Sequence, residues 1–349
     1  MSRFFGESFP LEATSQNLGF HNSRQAVNDL AWFSKWFQET AVNEKYGLPS
    51  GSRNKWTVVG GSYPGALAAW YRLKFPHLSV GSHSSSGVVK AILDFTQFDE
   101  QVARTAGATC AAALRNTTKQ IEAGMPAIKS RFGAQGLAIE GDFFYFIADA
   151  GAETMQYGHR NVLCDVLNPI WAAGHDPLPA FVKFVNEYFM GTLGNSPSDY
   201  DSTLLADPVK GGNGRSWWWQ KCTELAYWQV APAQNSIRSA QVNEAYHRDL
   251  CFRVFGVTEL PAVNETNNYY GGTDVAVDNV FFYNGAADPW QWAGVRTPLG
   301  PTRPSYVVDC GVNGTCAHCG DLYTPAETDP VELQQERKAL FLEYQKWLA

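Results

Sequence analysis

The stretch Trp56-Thr57-Val58-Val59-Gly60-Gly61-Ser62-Tyr63-Pro64-Gly65, running on into Ala66-Leu67-Ala68-Ala69-Trp70, decides the fold. Trp56 to Val59 is a short β-branched run and reads as a buried strand. Ala66 to Trp70, with Leu73, reads as a helix. Pro64 sits near its first turn, where a missing N–H breaks no intrahelical bond. Between strand and helix two glycines permit a tight turn with Ser62 at its tip. A strand that enters such a turn and leaves as a helix lifts the Ser Oγ clear of the sheet, which is the geometry of a nucleophile elbow. The helix N-terminus behind it supplies free N–H groups and partial positive charge, and the amide of Tyr63 is a candidate oxyanion donor. Pro64 stands where the G-x-S-x-G pattern wants Gly, and Gly65 comes one residue late. An ordinary strand–helix turn with a capping Ser accounts for Ser62 equally well.

Upstream, residues 24–40 carry Val27, Leu30, Ala31, Phe33 and Phe37 at helical spacing, with Ser23 placed to cap the start. Residues 48–54 are a loop of turn formers. Downstream, Leu78 to Val80 predicts a second strand that ends in the small-residue stretch Gly81 to Gly87. Segments 96–123, 125–132, 140–158, 178–190 and 215–250 predict helices broken by Gly/Pro/Asn-rich turns. Val280 to Tyr283 and Ser305 to Val308 predict two more strands. Residues 330–348 predict an amphipathic helix with Leu333, Leu340, Phe341, Tyr344 and Leu348 on one face. Strands alternating with helices at both ends imply an α/β protein, a mostly parallel sheet with a helical insertion. The chain divides accordingly into 1–91 with the elbow, a helical block 92–250, and 251–349, which returns to the core.

Composition bounds the function. The 349 residues are 45% hydrophobic and 17% charged, which excludes disorder as the main state. The net charge of −7 without a long basic run argues against nucleic acid. No uninterrupted apolar stretch approaches the roughly 18 residues of a membrane helix. Twelve Trp supply a large core, or a pocket lined with rings. Seven cysteines (Cys110, Cys164, Cys222, Cys251, Cys310, Cys316, Cys319) leave at least one thiol free if the rest pair. With sequons at Asn116, Asn264 and Asn313 they favour an oxidising compartment. Cys316-Ala317-His318-Cys319 with Cys310 offers the alternative of a zinc site. The start, Met1-Ser2-Arg3-Phe4-Phe5-Gly6-Glu7-Ser8, does not read as a signal peptide, which leaves two expectations, a cytosolic chain or one that begins inside a longer protein.

A serine on an elbow needs a base, and the base needs an orienting carboxylate, in the chain order Ser, Asp/Glu, His. Asp288 lies in Asn284-Gly285-Ala286-Ala287-Asp288-Pro289-Trp290, on a loop after strand 280–283. Taken alone it is a turn former before Pro. His318 lies after strand 305–308, in Ala317-His318-Cys319-Gly320-Asp321-Leu322; taken alone it is a surface-loop histidine. Each follows a strand, where open α/β sheets carry function, and the order is the required one. The other six histidines lack this position.

Several stretches together carry a resemblance. They are Arg3-Phe4-Phe5-Gly6-Glu7-Ser8-Phe9-Pro10, the elbow with Ala68-Ala69-Trp70-Tyr71-Arg72-Leu73-Lys74-Phe75-Pro76-His77, the Asn284 to Trp290 loop, and His318 to Leu322. In them the chain resembles the serine peptidases that include lysosomal Pro-Xaa carboxypeptidase, dipeptidyl peptidase II and thymus-specific serine protease. With the run 217–238, the resemblance is nearest to the thymus-specific and plant-type members and spans essentially the whole chain. It implies an α/β-hydrolase fold with a helical lid between the Ser-bearing and Asp-bearing parts, and an exopeptidase acting at prolyl bonds of short peptides without a cofactor. Ser62 matches the nucleophile, Asp288 the triad acid, His318 the base and the Tyr63 amide an oxyanion donor, with Gly6 as a second donor. Trp290 matches a ring of the proline pocket, and Glu7 is a candidate for binding a substrate amine. By analogy Cys164 pairs with Cys222 and Cys110 with Cys251, and Cys310, Cys316 and Cys319 give one local bridge and one odd thiol. The resemblance implies a lysosomal, vacuolar or secreted protein, a homodimer as one option, and an acidic pH optimum, although an unperturbed His base works best above about pH 6.5. Members carry strands ahead of the Arg3 stretch that are absent here. A truncated, inactive peptide binder and a lipase or esterase of the same fold are therefore the alternatives.

Overall fold

The computed structural model describes residues 3–47, 54–311 and 316–349. Among the described residues, four parallel strands form one sheet in the order β1 (Thr57–Gly61), β2 (Gly81–Ser85), β3 (Val280–Gly285), β4 (Ser305–Val308). Parallel neighbours need crossovers, and helices supply them on the faces of the sheet. Helix α1 (Ser23–Trp36) precedes β1, and α2 (Tyr63–Lys74) joins β1 to β2. Between β2 and β3 the chain is mainly helical. It runs through α3 (Thr96–Ala106), α4 (Ala108–Ala123), α5 (Glu140–Gln156), α6 (Arg160–Ala172), α7 (Leu178–Phe184), α8 (Gly212–Gln220), α9 (Glu244–Phe255) and α10 (Val263–Tyr270). Helix α11 (Val331–Leu348) closes the chain. The architecture is the expected α/β one, a parallel sheet with a large helical excursion. β1 lies at one edge, with Val59 51% exposed. No helix among the described residues is long and apolar enough to cross a membrane.

Several elements depart from the sequence reading. The second strand is Gly81–Ser85, inside the stretch read as small-residue loop, and not Leu78 to Val80. Its five residues are all buried, and its pairing is in register with both neighbours (His83 opposite Val59 and Phe281). A strand covered on both faces has no alternation to show, and small side chains let two helical layers approach it. Segment 96–123 breaks at Gly107, at φ 82°. Segment 215–250 is helical only at its ends, because Ala226 and Tyr227 adopt positive φ. Asn22, not Ser23, caps α1: its side chain accepts from Gln25 N–H at 2.9 Å. The inner face of α1 is Ala26, Val27, Ala31 and Ser34, while Phe33 is 45% exposed. On α11 the buried residues are Leu333, Glu336, Leu340 and Trp347; Phe341 and Leu348 face solvent.

The disulfides join Cys110 to Cys164 and Cys222 to Cys251, not 164 to 222 and 110 to 251 as the analogy implied. Cys110 is on α4 and Cys164 on α6, which pack together. Cys310 bridges Cys316, and Cys319 is free, which is the one local bridge and odd thiol expected. Asn264 is exposed on α10, a suitable acceptor for glycosylation. Asn116 lies within α4, its amide oxygen accepting from Gln120, and Asn313 lies outside the described residues.

Candidate active site

β1 ends at Gly61 and α2 begins at Tyr63, so Ser62 is the whole turn. It holds φ 60°, ψ −127°, a conformation that ordinary L residues avoid and that surrounding structure must maintain. The Ser62 N–H donates to the Ser85 carbonyl at 2.9 Å, which anchors the turn to β2. A Cβ at Gly60 would run into the Pro64 carbonyl, and one at Gly65 would lie 2.7 Å from the Ser85 oxygen. Those two glycines are therefore what lets the helix start directly above the strand. Pro64 is exposed in the first turn, where no intrahelical partner is lost. The Tyr63 amide lies in the same turn, among the N–H groups that a helix leaves without acceptors.

Asp288 and His318 meet at the neighbouring strand ends. Asp288 is fully buried and caps a short helix, Pro289–Ala293: its Oδ1 accepts from Trp290 N–H at 2.9 Å. Its Oδ2 lies 2.8 Å from His318 Nδ1. A carboxylate can only accept, so Nδ1 carries a proton, and Nε2 is the acceptor whenever the imidazole is neutral. His318 is 5% exposed, and its N–H donates to the Gln156 carbonyl at 2.9 Å. Burial alone lowers its pKa, but the charge and hydrogen bond of Asp288, with the Cys319 thiol beside it, outweigh that and raise it above the usual 6.5. Among the described residues no hydrogen bond joins Ser62 Oγ to the imidazole; such bonds often tighten only when substrate is bound.

Ser62 opens into a cavity of about 380 Å³ roofed by the helical excursion. Trp290, Phe98, Trp217 and Trp218 give it apolar walls. The Trp290 ring sits edge-on to Phe98 at 5.0 Å and to Tyr227 at 5.7 Å, and its Nε1–H donates to Gln156 Oε1 at 2.8 Å. The lining also carries the charged residues Asp149, Glu153, Asp199 and Lys221. Burial, then the neighbouring Asp149 charge, pushes Glu153 up to about 7. Burial pulls Lys221 down to about 7, opposed by Asp149 and assisted by Arg238. Ser62 lines this cavity, and the Asp288–His318 pair is tied to it through Trp290 and Gln156, which line it and hydrogen-bond to the pair.

The structure brings Ser62 and Trp290 to that cavity, places Tyr63 directly after Ser62 with its ring against Trp217, and pairs Asp288 with His318. It does not bring Gly6 and Glu7. The Gly6 N–H is taken by Asn213 Oδ1 at 2.9 Å, and Glu7 is exposed on a separate surface hollow with Arg3, Phe9 and Asp29. Arg3 instead clamps α1, with two 2.7 Å bonds to Asp29. The bridge between Cys310 and Cys316 removes two thiolates from the zinc alternative. Gln156 was missed by sequence reasoning, although its backbone holds His318 and its side chain holds Trp290. Nothing in the helix Glu140–Gln156 marks it, because its role exists only across the fold.

Residues 2–141 and 154–340 match the family described as serine carboxypeptidase S28. The chain belongs to that family. It is 40% identical over 328 residues to the Arabidopsis thaliana protein named "Probable serine protease EDA2", covering 92% of this chain and 66% of that protein. It is 28% identical over 387 residues to the thymus-specific serine protease of Homo sapiens (99% of this chain, 72% of the relative). Against the lysosomal Pro-X carboxypeptidase of Bos taurus the identity is 27% over 394 residues (99% and 73%). The chain thus spans about two thirds of the length of the Arabidopsis relative. The matched segments include all four strands and the Ser62, Asp288 and His318 loops.

Proposed function

We propose that this S28 chain is a serine exopeptidase that cleaves short peptides at prolyl bonds. Ser62 is the nucleophile, His318 the general base and acid, and Asp288 the group that orients the imidazole. The observation that carries this reading is the buried 2.8 Å Asp288–His318 pair, at the same end of the parallel sheet as a serine held in a strained elbow that lines a half-open cavity. His318 Nε2 takes the Ser62 proton as Oγ attacks the carbonyl carbon, and the Tyr63 N–H receives the oxyanion. The protonated imidazole then gives its proton to the leaving amine, and water resolves the acyl-enzyme. Proline is compact, apolar and without an N–H. It suits the apolar Trp290–Phe98 wall of the cavity that Ser62 lines. The helical block 92–250 acts as a lid that admits chain ends. The three bridges and the relative named lysosomal support a lysosomal or secreted setting.

The second reading, a peptide binder without catalysis, is favoured by the unformed Ser62–His318 hydrogen bond. Covalent labelling with a fluorophosphonate separates the two, because such a probe needs an activated serine. Labelling that vanishes in Ser62→Ala, followed by turnover of Pro-Xaa or Xaa-Pro peptides, is the expected result. A folded chain that takes no label overturns the enzyme reading.

A further inference from the structure

Beneath the His318 loop lies a buried polar group that the chemistry above does not use. Asp321 follows His318 by three residues and is 6% exposed. Its Oδ1 accepts the Ser85 hydroxyl, and its Oδ2 lies 2.6 Å from His83 Nε2. Both partners are on β2 and fully buried. Ser85 has a second task, since its backbone carbonyl is the acceptor for Ser62 N–H at 2.9 Å. The next residue, Ser86, accepts the Cys319 N–H on its Oγ at 3.0 Å. The end of β2 therefore touches the elbow through backbone and the His318 loop through side chains. On the other side Arg337 of α11 donates to the carbonyls of Asp321 at 3.1 Å, Gly320 at 2.9 Å and Tyr323 at 2.9 Å. Between His318 and Asp321 the chain passes through Cys319 in the left-handed region, φ 54°, ψ 30°, which a non-glycine residue keeps only when held.

Ser85, His83 and Asp321 contain the residue types of a hydrolytic triad, but not its order. In a working set the imidazole stands between serine and carboxylate. Here the carboxylate stands between serine and imidazole, and burial denies all three a substrate. We propose that Asp321, held by Ser85 and His83, is a positioning residue that sets His318 at its working distance from Ser62. The proposal rests on the Ser62–Asp288–His318 reading. A ruler of this kind matters because a displacement of about 1 Å can cost on the order of 100-fold in rate. Glu336 of α11 is also deep in this region, 1% exposed with neither carboxylate oxygen paired. Burial, with the Asp321 charge, pushes its pKa up to about 8. It hydrogen-bonds to none of the groups that hold the loop.

The test compares Asp321→Asn and Ser85→Ala with Glu336→Gln, a control of similar burial, in the full chain. Fluorophosphonate labelling rate, kcat and KM on a prolyl peptide, and thermal unfolding are read for each. Expected are labelling and kcat about 10- to 100-fold lower in Asp321→Asn and Ser85→Ala, with KM within about twofold, since placement of the base affects the chemical step and not binding. The double variant should be no worse than the poorer single one, because both cut the same tie. Glu336→Gln should label at the unaltered rate. Wild-type rates in either Asp321→Asn or Ser85→Ala, or losses that merely follow the unfolded fraction and recur in Glu336→Gln, overturn the proposal. If Asp321→Asn does not fold, Ser85→Ala, which removes one hydroxyl, decides alone. An unlabelled wild-type chain sinks the triad reading and this inference with it. A labelled wild type with unaffected variants sinks this inference only.

Discussion

Asp288 does two jobs with two oxygens, capping the short helix at Trp290 and fixing the His318 tautomer. Asp288→Asn would present an amide N–H or a weaker acceptor to Nδ1 and lose the orienting charge. It should lower kcat by up to about 10⁴-fold with the fold intact, as in other triads. A loss under tenfold, in a protein shown to be folded, would remove Asp288 from the role. The same pair sets a pH dependence. His318 must be neutral to accept the Ser62 proton, and Asp288 raises its pKa. With the pKa pushed up to about 10, labelling rate measured from about pH 5 to pH 11 should still be rising above pH 7, well past the unperturbed 6.5; a plateau already complete at pH 7 would contradict it. For stability the sign is the usual one for a raised pKa. The pair's contribution is full below the unfolded value near 6.5, and is lost as pH rises through the folded value. Ser62, Asp288 and His318 were legible as residues because each follows a predicted strand in the required order. Gln156 and Ser85 were not, because one acts through its carbonyl and amide and the other from a strand that carries no hydrophobic signal.

Elements were legible where a periodic apolar face exists and hidden where burial comes from both sides. β3 (Val280–Gly285) and β4 (Ser305–Val308) declared themselves through β-branched and aromatic residues. β2 reads Gly-Ser-His-Ser-Ser, and only its place between β1 and β3 makes it a strand. α11 shows the same limit: its length was readable, but its inner stripe depends on which residues meet the sheet. Trp347 packs its ring on Gly81 of β2, where any Cβ would clash, and joins Phe281 and Leu340 in one cluster. Trp347→Ala should therefore destabilise the protein by about 3–5 kcal/mol, the range for emptying a large aromatic site. A denaturant midpoint shifted with unchanged slope would register it. A change below about 1 kcal/mol would mean that the helix end is not docked there.

Across the whole molecule the helical excursion is cross-linked within itself and then tied to the sheet. Cys110–Cys164 and Cys222–Cys251 close loops with separations of 54 and 29 residues. Each should add roughly 4 kcal/mol by restricting the unfolded chain. Digestion without reduction should release the 110–164 and 222–251 peptide pairs. Recovery of 164–222 and 110–251 would overturn the packing of α4 on α6. Reduction should lower the melting temperature by several degrees or more, since about 1 kcal/mol moves a domain of this size by a few degrees. The Trp70 ring of α2 stacks at 4.1 Å on Tyr270 of α10, so the elbow helix and the last helix of the excursion share one core.

By itself the sequence determined the α/β class, the strand–serine–helix turn, the order Ser, Asp, His, and the helical excursion between the second and third strands. These follow from local spacing, turn chemistry and chain order, which do not depend on distant partners. Only the tertiary structure decided which cysteines pair, which face of α11 is buried, and that Gly6 and Glu7 stand away from Ser62. It also decided that Gln156 bonds His318 and Trp290, and that Ser85 and Asp321 meet beneath the His318 loop. Those are relations between residues far apart in the chain, fixed by which surfaces pack together, and no local pattern records them.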